Sequence, residues 1–339
     1  MKALVYTGPK SVEVREVEAP PARKGAVRLR MTYCGICGSD IGIFAGKHPR
    51  ATAPLVLGHE FVGTVDLAPE GSRFAAGDRV VAYPLLSCGT CHPCRNGQPH
   101  VCASLKLIGI DCDGGIAETL WVDEGVLFKL PDAISDRVAA LVEPLAVVVR
   151  SLHRARFEIG QSAVVMGAGP IGLLTAIVLR HAGASKILVS DVDDARLGLC
   201  REMGFEVVDV RNEDLAQRVL AATGGDGADV AFECSGVESA ALEMTKVVRV
   251  GGTICMTAVH KAPHAVSLID LNFKEQTLIG SRVYTLAEFG SAVGLAGVLA
   301  SELERAITQV VPLSASDKVF DMIADPSLNT VKILVDCQS

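Results

Sequence analysis

No stretch of this 339-residue chain is apolar over the roughly 18 residues that a membrane-spanning helix requires. No basic run stands out against a formal charge of -7 either. The first absence excludes a helical membrane protein, and the second argues against nucleic acid or an anionic membrane as a main partner. Residues 1–18, MKALVYTGPKSVEVREVE, lack the apolar block of a signal peptide, so the expectation is a cytoplasmic protein. Internal repeats and low-complexity segments are absent too. In a reducing compartment the 11 cysteines are expected as thiols and metal ligands rather than disulfides. The length allows about two domains, each with a sizeable core.

The first part of the chain patterns as sheet. Val12 and Val14 alternate within 11–17, and Val27, Leu29 and Met31 oppose Arg28 and Arg30. Segments 61–67, 79–83 and 119–122 continue the pattern. The stretch 33–60, YCGICGSDIGIFAGKHPRATAPLVLGHE, carries a thiol, an imidazole and a carboxylate at Cys37, His59 and Glu60. Zinc binds all three groups, and a catalytic site keeps one position open. A buried thiol and a satisfied core histidine are the plain alternative for these residues. Cys88, Cys91, Cys94 and Cys102 follow, with two, two and seven residues between them. Four thiolates close a tetrahedral shell, which suits a structural zinc, although a redox pair or an iron–sulfur cluster shares the pattern. Ser135 can cap a helix over 135–144, and Pro144 places Glu143 at a break between helices.

From Ser162 strands alternate with helices. Strand 163–166 leads into Gly167, Gly169 and Gly172, a GxGxxG at the opening of the apolar helix 170–181 that Pro170 begins. Strand 187–190 and Asp191 follow, Asp191 lying 19 residues beyond Gly172. Strand, glycine turn, helix and acidic residue together make the dinucleotide fingerprint, with pyrophosphate at the helix N-terminus. Helices are expected at 193–203, 212–222 and 238–248, and strands at 206–210, 228–234, 253–259 and 277–283. Six strands complete a doubly wound parallel sheet, and a last strand at 331–335 lies outside it. The fold class is thus α/β, a β-rich domain plus a Rossmann sheet.

Taken together, CGICGSD, GHE, the four-cysteine spacing, the EP pair at 143–144 and GxGxxG resemble the zinc-containing medium-chain alcohol and polyol dehydrogenases of the sorbitol, 2,3-butanediol and threonine type. The likeness covers nearly the whole chain. It implies a GroES-like catalytic domain over 1–145 and 285–339 and a Rossmann NAD-binding domain over 146–284. It also implies Cys37, His59 and Glu60 as catalytic-zinc ligands, with Glu143 at the zinc directly or through water, and a structural zinc on Cys88, Cys91, Cys94 and Cys102. Toward NAD it points to Ile171, Asp191, Arg196, Thr257, Ala258, Val259, Ser281 and Arg282, beside Gly167, Gly169, Pro170 and Gly172.

The implied activity is oxidation of a small secondary alcohol (a polyol, vicinal diol or sugar derivative) to the ketone, with hydride passing to NAD and the alcohol proton to Ser39. Threonine 3-dehydrogenase-type oxidation and a non-catalytic NAD-binding protein are the alternatives. Quinone and enone reductases of the superfamily lack these zinc ligands. The chain departs from the family pattern at Gly42 and Arg150, where relatives commonly carry histidines, the first of them the outer member of the proton relay. Relatives are often homo-oligomers, tetramers or dimers.

Overall fold

Alternating apolar and polar residues become sheet where the pattern places them. The structure, a computed structural model, describes all 339 residues, which divide into two units: Met1–Ala146 with Thr285–Ser339, and Val147–Tyr284. No single helix is long and apolar enough to cross a membrane.

In the first unit the organising strand is Ala26–Gly35. Val27, Leu29 and Met31 are fully buried on one face while Arg30 is exposed. Glu60–Leu67, Thr119–Asp123 and Lys332–Asp336 all pair with it antiparallel. The sheet extends through Arg79–Ala82 to Leu127–Lys129 on one side and through Lys332–Asp336 to Ile307–Pro312 on the other. The C-terminal strand therefore lies beside the strand that leads into Cys37, across Ala26–Gly35 from the strand that begins at Glu60. Helix α1, Gly38–Phe44, starts directly after Cys37.

Ser135 is a cap, its hydroxyl accepting from Val138 N at 3.2 Å. The helix it caps, however, is only Asp136–Ala139. A new helix, α2, Val142–Ala155, already contains Glu143 and Pro144, so the break expected at Glu143 lies earlier, at residues 140–141. The first turn of a helix needs no intrahelical N–H partner, which is why Pro144 fits there, and the helix N-terminus favours an acidic side chain at Glu143.

The second unit is a six-stranded parallel sheet of β1 Ser162–Met166, β2 Lys186–Asp191, β3 Glu206–Asp209, β4 Ala228–Glu233, β5 Val248–Met256 and β6 Thr277–Gly280. Their spatial order is 3-2-1-4-5-6, so the direction of winding switches between β1 and β4. Helix α3, Pro170–His181, follows β1. A Cβ on Gly172 would stand 1.7 Å from the Gly167 carbonyl oxygen, and only glycine lets this turn fold onto its own helix.

Several expected boundaries shift: the strand expected over 277–283 ends at Gly280, and the one expected from 253 begins at Val248. β5 stops at Met256: Thr257 N makes the last ladder bond to the Glu233 carbonyl, and Ala258 N turns back to the same oxygen, both at 2.9 Å. The helix expected from Asn212 begins at Leu215 behind the cap Asp214. Asn212 is held in a turn by the Asp209 carboxylate, which also accepts from the Arg211 backbone and guanidinium.

Candidate functional site

Cys37, at the start of α1, and His59 and Glu60, at the start of the strand paired with Ala26–Gly35, converge in the first unit. Their ligand atoms all lie within 4.8 Å of one another. Zinc bonds of about 2.0–2.3 Å bring three such atoms to one ion with a modest inward movement. His59 and Glu60 are 3% and 1% exposed. Glu143 is buried as well and stands outside the tight trio, close enough to act on His59 and Lys332 through its charge. Ser39, in the first turn of α1, has a buried hydroxyl with no hydrogen-bond partner.

Two further residues complete this cluster that the sequence reading did not single out. Asp40 is fully buried, and its Oδ2 accepts from Cys37 N at 2.8 Å. Its Oδ1 lies 4.0 Å from His59 Nδ1, and both atoms are buried without a partner. A carboxylate that closed this gap would hold one imidazole nitrogen and leave the other for a metal. Lys332 is 2% exposed, donates to the Ile36 carbonyl at 3.0 Å and is paired with Glu60. The pair crosses directly over Gly35, where a Cβ would stand 2.1 Å from Glu60 Oε2 and 2.9 Å from Lys332 Cε. One lysine within the otherwise apolar strand 331–335 was the available signal for it. Asp40 stood in plain view within CGSD.

The electrostatics describe a site short of positive charge. Burial works against a charged His59, yet Cys37, Asp40 and Glu143 raise its pKa well above the usual histidine value. Burial likewise opposes the Lys332 charge, and Glu60 and Cys37 outweigh it, so its pKa is raised. The Asp40 carboxyl is raised by burial. A divalent cation held by Cys37, His59 and Glu60 would supply the charge that these anions lack and would favour the neutral form of His59.

Cys88, Cys91, Cys94 and Cys102 form the second cluster. Their sulfurs are 3.4–4.0 Å apart along four of the pairs. A tetrahedron with zinc–sulfur bonds of about 2.3 Å has edges of about 3.8 Å, so the space fits one ion and is too small for a multi-iron cluster. Backbone N–H groups of Cys91, Ala103 and Cys88 point at the sulfurs of Cys88, Cys91 and Cys102 from 3.3–3.5 Å. The amide and hydroxyl of Thr90 draw the Cys88 thiol down to about 5, which favours the thiolate that binds metal. Cys94→Ser is expected to lower the melting temperature and the zinc content by one ion per chain before it alters turnover. A folded variant with unchanged melting temperature and full zinc content would contradict this.

In the second unit the glycine turn follows β1, and Asp191 ends β2. Asp191 Oδ2 accepts from Ala168 N at 2.6 Å, and Oδ1 accepts from Val192 N and Asp193 N at 2.7 and 3.0 Å. Its carboxylate thus fastens the turn and keeps lone pairs to spare. An Arg196 guanidinium nitrogen lies 3.8 Å from where a Gly169 Cβ would stand, which brings Arg196 over the same turn. Thr257 follows β5 and Ser281 follows β6, joined through Ser151, whose Oγ donates to Ser281 Oγ at 3.3 Å and accepts from Thr257 Oγ1 at 3.2 Å. Pro170 and Ile171 open α3, whereas Val259 is 85% exposed and Arg282 is also exposed. The glycine turn, Asp191, Thr257 and Ser281 all follow or end strands at their carboxyl ends, the edge where open α/β sheets bind ligands.

Comparison with known proteins identifies the family. The alcohol dehydrogenase GroES-like domain matches residues 23–132, and the zinc-binding dehydrogenase family matches residues 170–297. The chain is 38% identical to 2-dehydro-3-deoxy-L-galactonate 5-dehydrogenase of Pseudoalteromonas atlantica, over all of this chain and 99% of that protein. It belongs to the zinc-dependent medium-chain alcohol and polyol dehydrogenases. Sorbitol dehydrogenase of Halalkalibacterium halodurans is 34% identical over 99% of both chains. Among solved structures, the alcohol dehydrogenase rspB of E. coli CFT073, complexed with NADH, superposes with a TM-score of 0.90 at 27% identity over 99% of each chain. Members of this family are oxidoreductases, and the GroES-like and Rossmann-type domains read from the sequence are the ones this chain carries.

Proposed function

We propose that this dehydrogenase oxidises the secondary hydroxyl of a polyol or sugar-acid derivative to a ketone, with NAD as hydride acceptor. The observation that carries the reading is the buried trio of Cys37, His59 and Glu60 with the unpartnered Ser39 hydroxyl in the adjoining helical turn. The sugar-acid and sorbitol substrates named for two relatives support the substrate class. A zinc ion acidifies an alcohol hydroxyl and NAD takes the hydride when both are bound. Cys37, His59 and Glu60 would hold that zinc, with Glu143 reaching it directly or through water, and Asp40 orients His59. Ser39 accepts the alcohol proton. Cys88, Cys91, Cys94 and Cys102 hold a second, structural zinc. On this reading the first unit is the catalytic domain and the second carries NAD.

Gly167, Gly169 and Gly172 leave room for the pyrophosphate at the start of α3, and Asp191 and Arg196 take the adenosine ribose. A carboxylate at that place repels a 2'-phosphate, and like charges in contact cost several kcal/mol, so NAD is expected to be preferred to NADP by about 10²-fold in kcat/KM. Equal kcat/KM for the two cofactors would show that Asp191 does not set the choice. Thr257, Ala258, Val259, Ser281 and Arg282 lie toward the nicotinamide half. The reading is tested by metal analysis together with a kinetic panel of 3-deoxy sugar acids, sorbitol, butane-2,3-diol and threonine with NAD. Absence of zinc, or of NAD reduction with every secondary alcohol, would refute it, and a threonine-only response would move the substrate class to amino alcohols.

The protein acts in the cytoplasm on this reading and assembles as a homo-oligomer. The assembly is supported by β6, which has a strand neighbour on one side only, and by Leu268, Ile269 and Phe273, 65–79% exposed on the short helix that precedes it.

A further inference from the structure

Glu233 ends the central strand β4 with its side chain fully buried, and neither metal cluster uses it. Its Oε1 accepts three hydrogen bonds, from Ser235 N and Gly236 N at 2.8 Å each and from Ser235 Oγ at 2.5 Å. Its Oε2 faces His260 Nε2 at 2.9 Å. The Glu233 carbonyl accepts from Thr257 N and Ala258 N. A carboxylate this deep is costly unless its lone pairs are used, and an apolar side chain would fill the same space at less expense. What the carboxylate adds is a tie between the loop after β4, at Ser235 and Gly236, and the loop after β5, which runs from Thr257 to His260.

Those two loops lie on one side of the switch between β1 and β4, and Asp191 at the end of β2 lies on the other. A dinucleotide crossing this edge with its adenosine at Asp191 lays its nicotinamide half over the loops after β4 and β5. The backbone pairing supports the geometry: Cys234 N donates to the Met166 carbonyl at 2.9 Å, just before the glycine turn. Ser235 and Gly236 therefore start from the strand that borders the turn, and the Glu233 carboxylate sets their direction. Binding that finds these loops already fixed does not have to order them.

We propose that Glu233, acting through Ser235, Gly236 and His260, is a positioning residue that shapes the nicotinamide half of the cofactor site. This rests on the reading of the second unit as the NAD carrier. The test compares NADH, followed by its fluorescence, with AMP, which occupies only the adenosine half. Loss of a multiply bonded carboxylate is expected to weaken NADH about 10-fold or more in Glu233→Ala while AMP affinity stays within about 2-fold. His260→Ala, a loop substitution that keeps the test open if Glu233→Ala misfolds, should weaken NADH in the same direction by less. Glu233→Gln keeps an acceptor for the Ser235 and Gly236 amides and should recover part of the loss. NADH affinity unchanged in His260→Ala and in folded Glu233→Ala, or AMP affinity falling in step with NADH, would overturn the proposal alone. Wild-type protein that binds neither AMP nor NADH would overturn the cofactor reading and this proposal with it.

Discussion

Lys332→Met is expected to cost about 3–5 kcal/mol of folding stability, the usual consequence of removing one partner of a buried ion pair. Lys332 and Glu60 are 2% and 1% exposed, so solvent cannot take over the Glu60 charge when the ammonium is gone. The Ile36 carbonyl loses its donor as well. The double variant Lys332→Met/Glu60→Gln should regain most of the loss, because the stranded charge and not the missing contact is the larger cost. Zinc bound by Glu60, as proposed, would offer it a second cation, so the loss should be smaller in zinc-loaded protein than after chelation. Denaturant unfolding of the three proteins, with and without chelator, measures this. A single variant as stable as the wild type would mean that Glu60 is not held by Lys332, and a loss equal in both metal states would mean that Glu60 does not face the zinc.

This pair also marks the limit of what the sequence could reveal. Its members stand 272 positions apart, and no local period links a lysine in a C-terminal strand to the glutamate of GHE. Antiparallel pairing of both strands with Ala26–Gly35 brings them together, and pairing across such distances is set by the whole sheet. Local signals were legible because their causes are local. The GxGxxG turn and the four-cysteine spacing needed only neighbouring residues, and α3 spans the expected 170–181. Where a side chain chose its partner across a turn, the boundaries moved: Asp209 drew Asn212 and Arg211 out of the expected helix. Glu143 was placed at a break because proline disfavours α geometry before it, a preference that the start of α2 overrides. Glu233 and His260 were missed for the Lys332 reason, since β4 and the loop after β5 meet only in the folded sheet.

Ser39→Ala is expected to lower kcat by about 10²- to 10⁴-fold near neutral pH, the usual worth of a general-base step, with zinc content unchanged. His48→Ala should leave kcat almost unchanged. The Ser39 hydroxyl is buried and unpartnered two residues after Cys37, whereas Gly42, where relatives place the outer histidine, has no side chain and open space where its Cβ would be. His48 is the nearest imidazole in sequence and the natural rival for the relay. Its Nδ1, however, accepts from Arg50 N and Ala51 N at 3.4 and 3.2 Å, which places the proton of the neutral ring on Nε2. Burial, and then the Arg50 charge, lower its pKa, so near neutral pH the ring stays in that form. An imidazole with one nitrogen engaged by backbone amides and the other protonated can donate but has no lone pair free to receive a proton. On the proposed reading the proton would leave Ser39 by way of the bound cofactor's ribose hydroxyl and water, for which the space at Gly42 leaves room. Steady-state kinetics of both variants across pH 6–9 decide between the schemes. A large fall in kcat for His48→Ala, restored by added imidazole, would return the relay to His48 and exclude the water route.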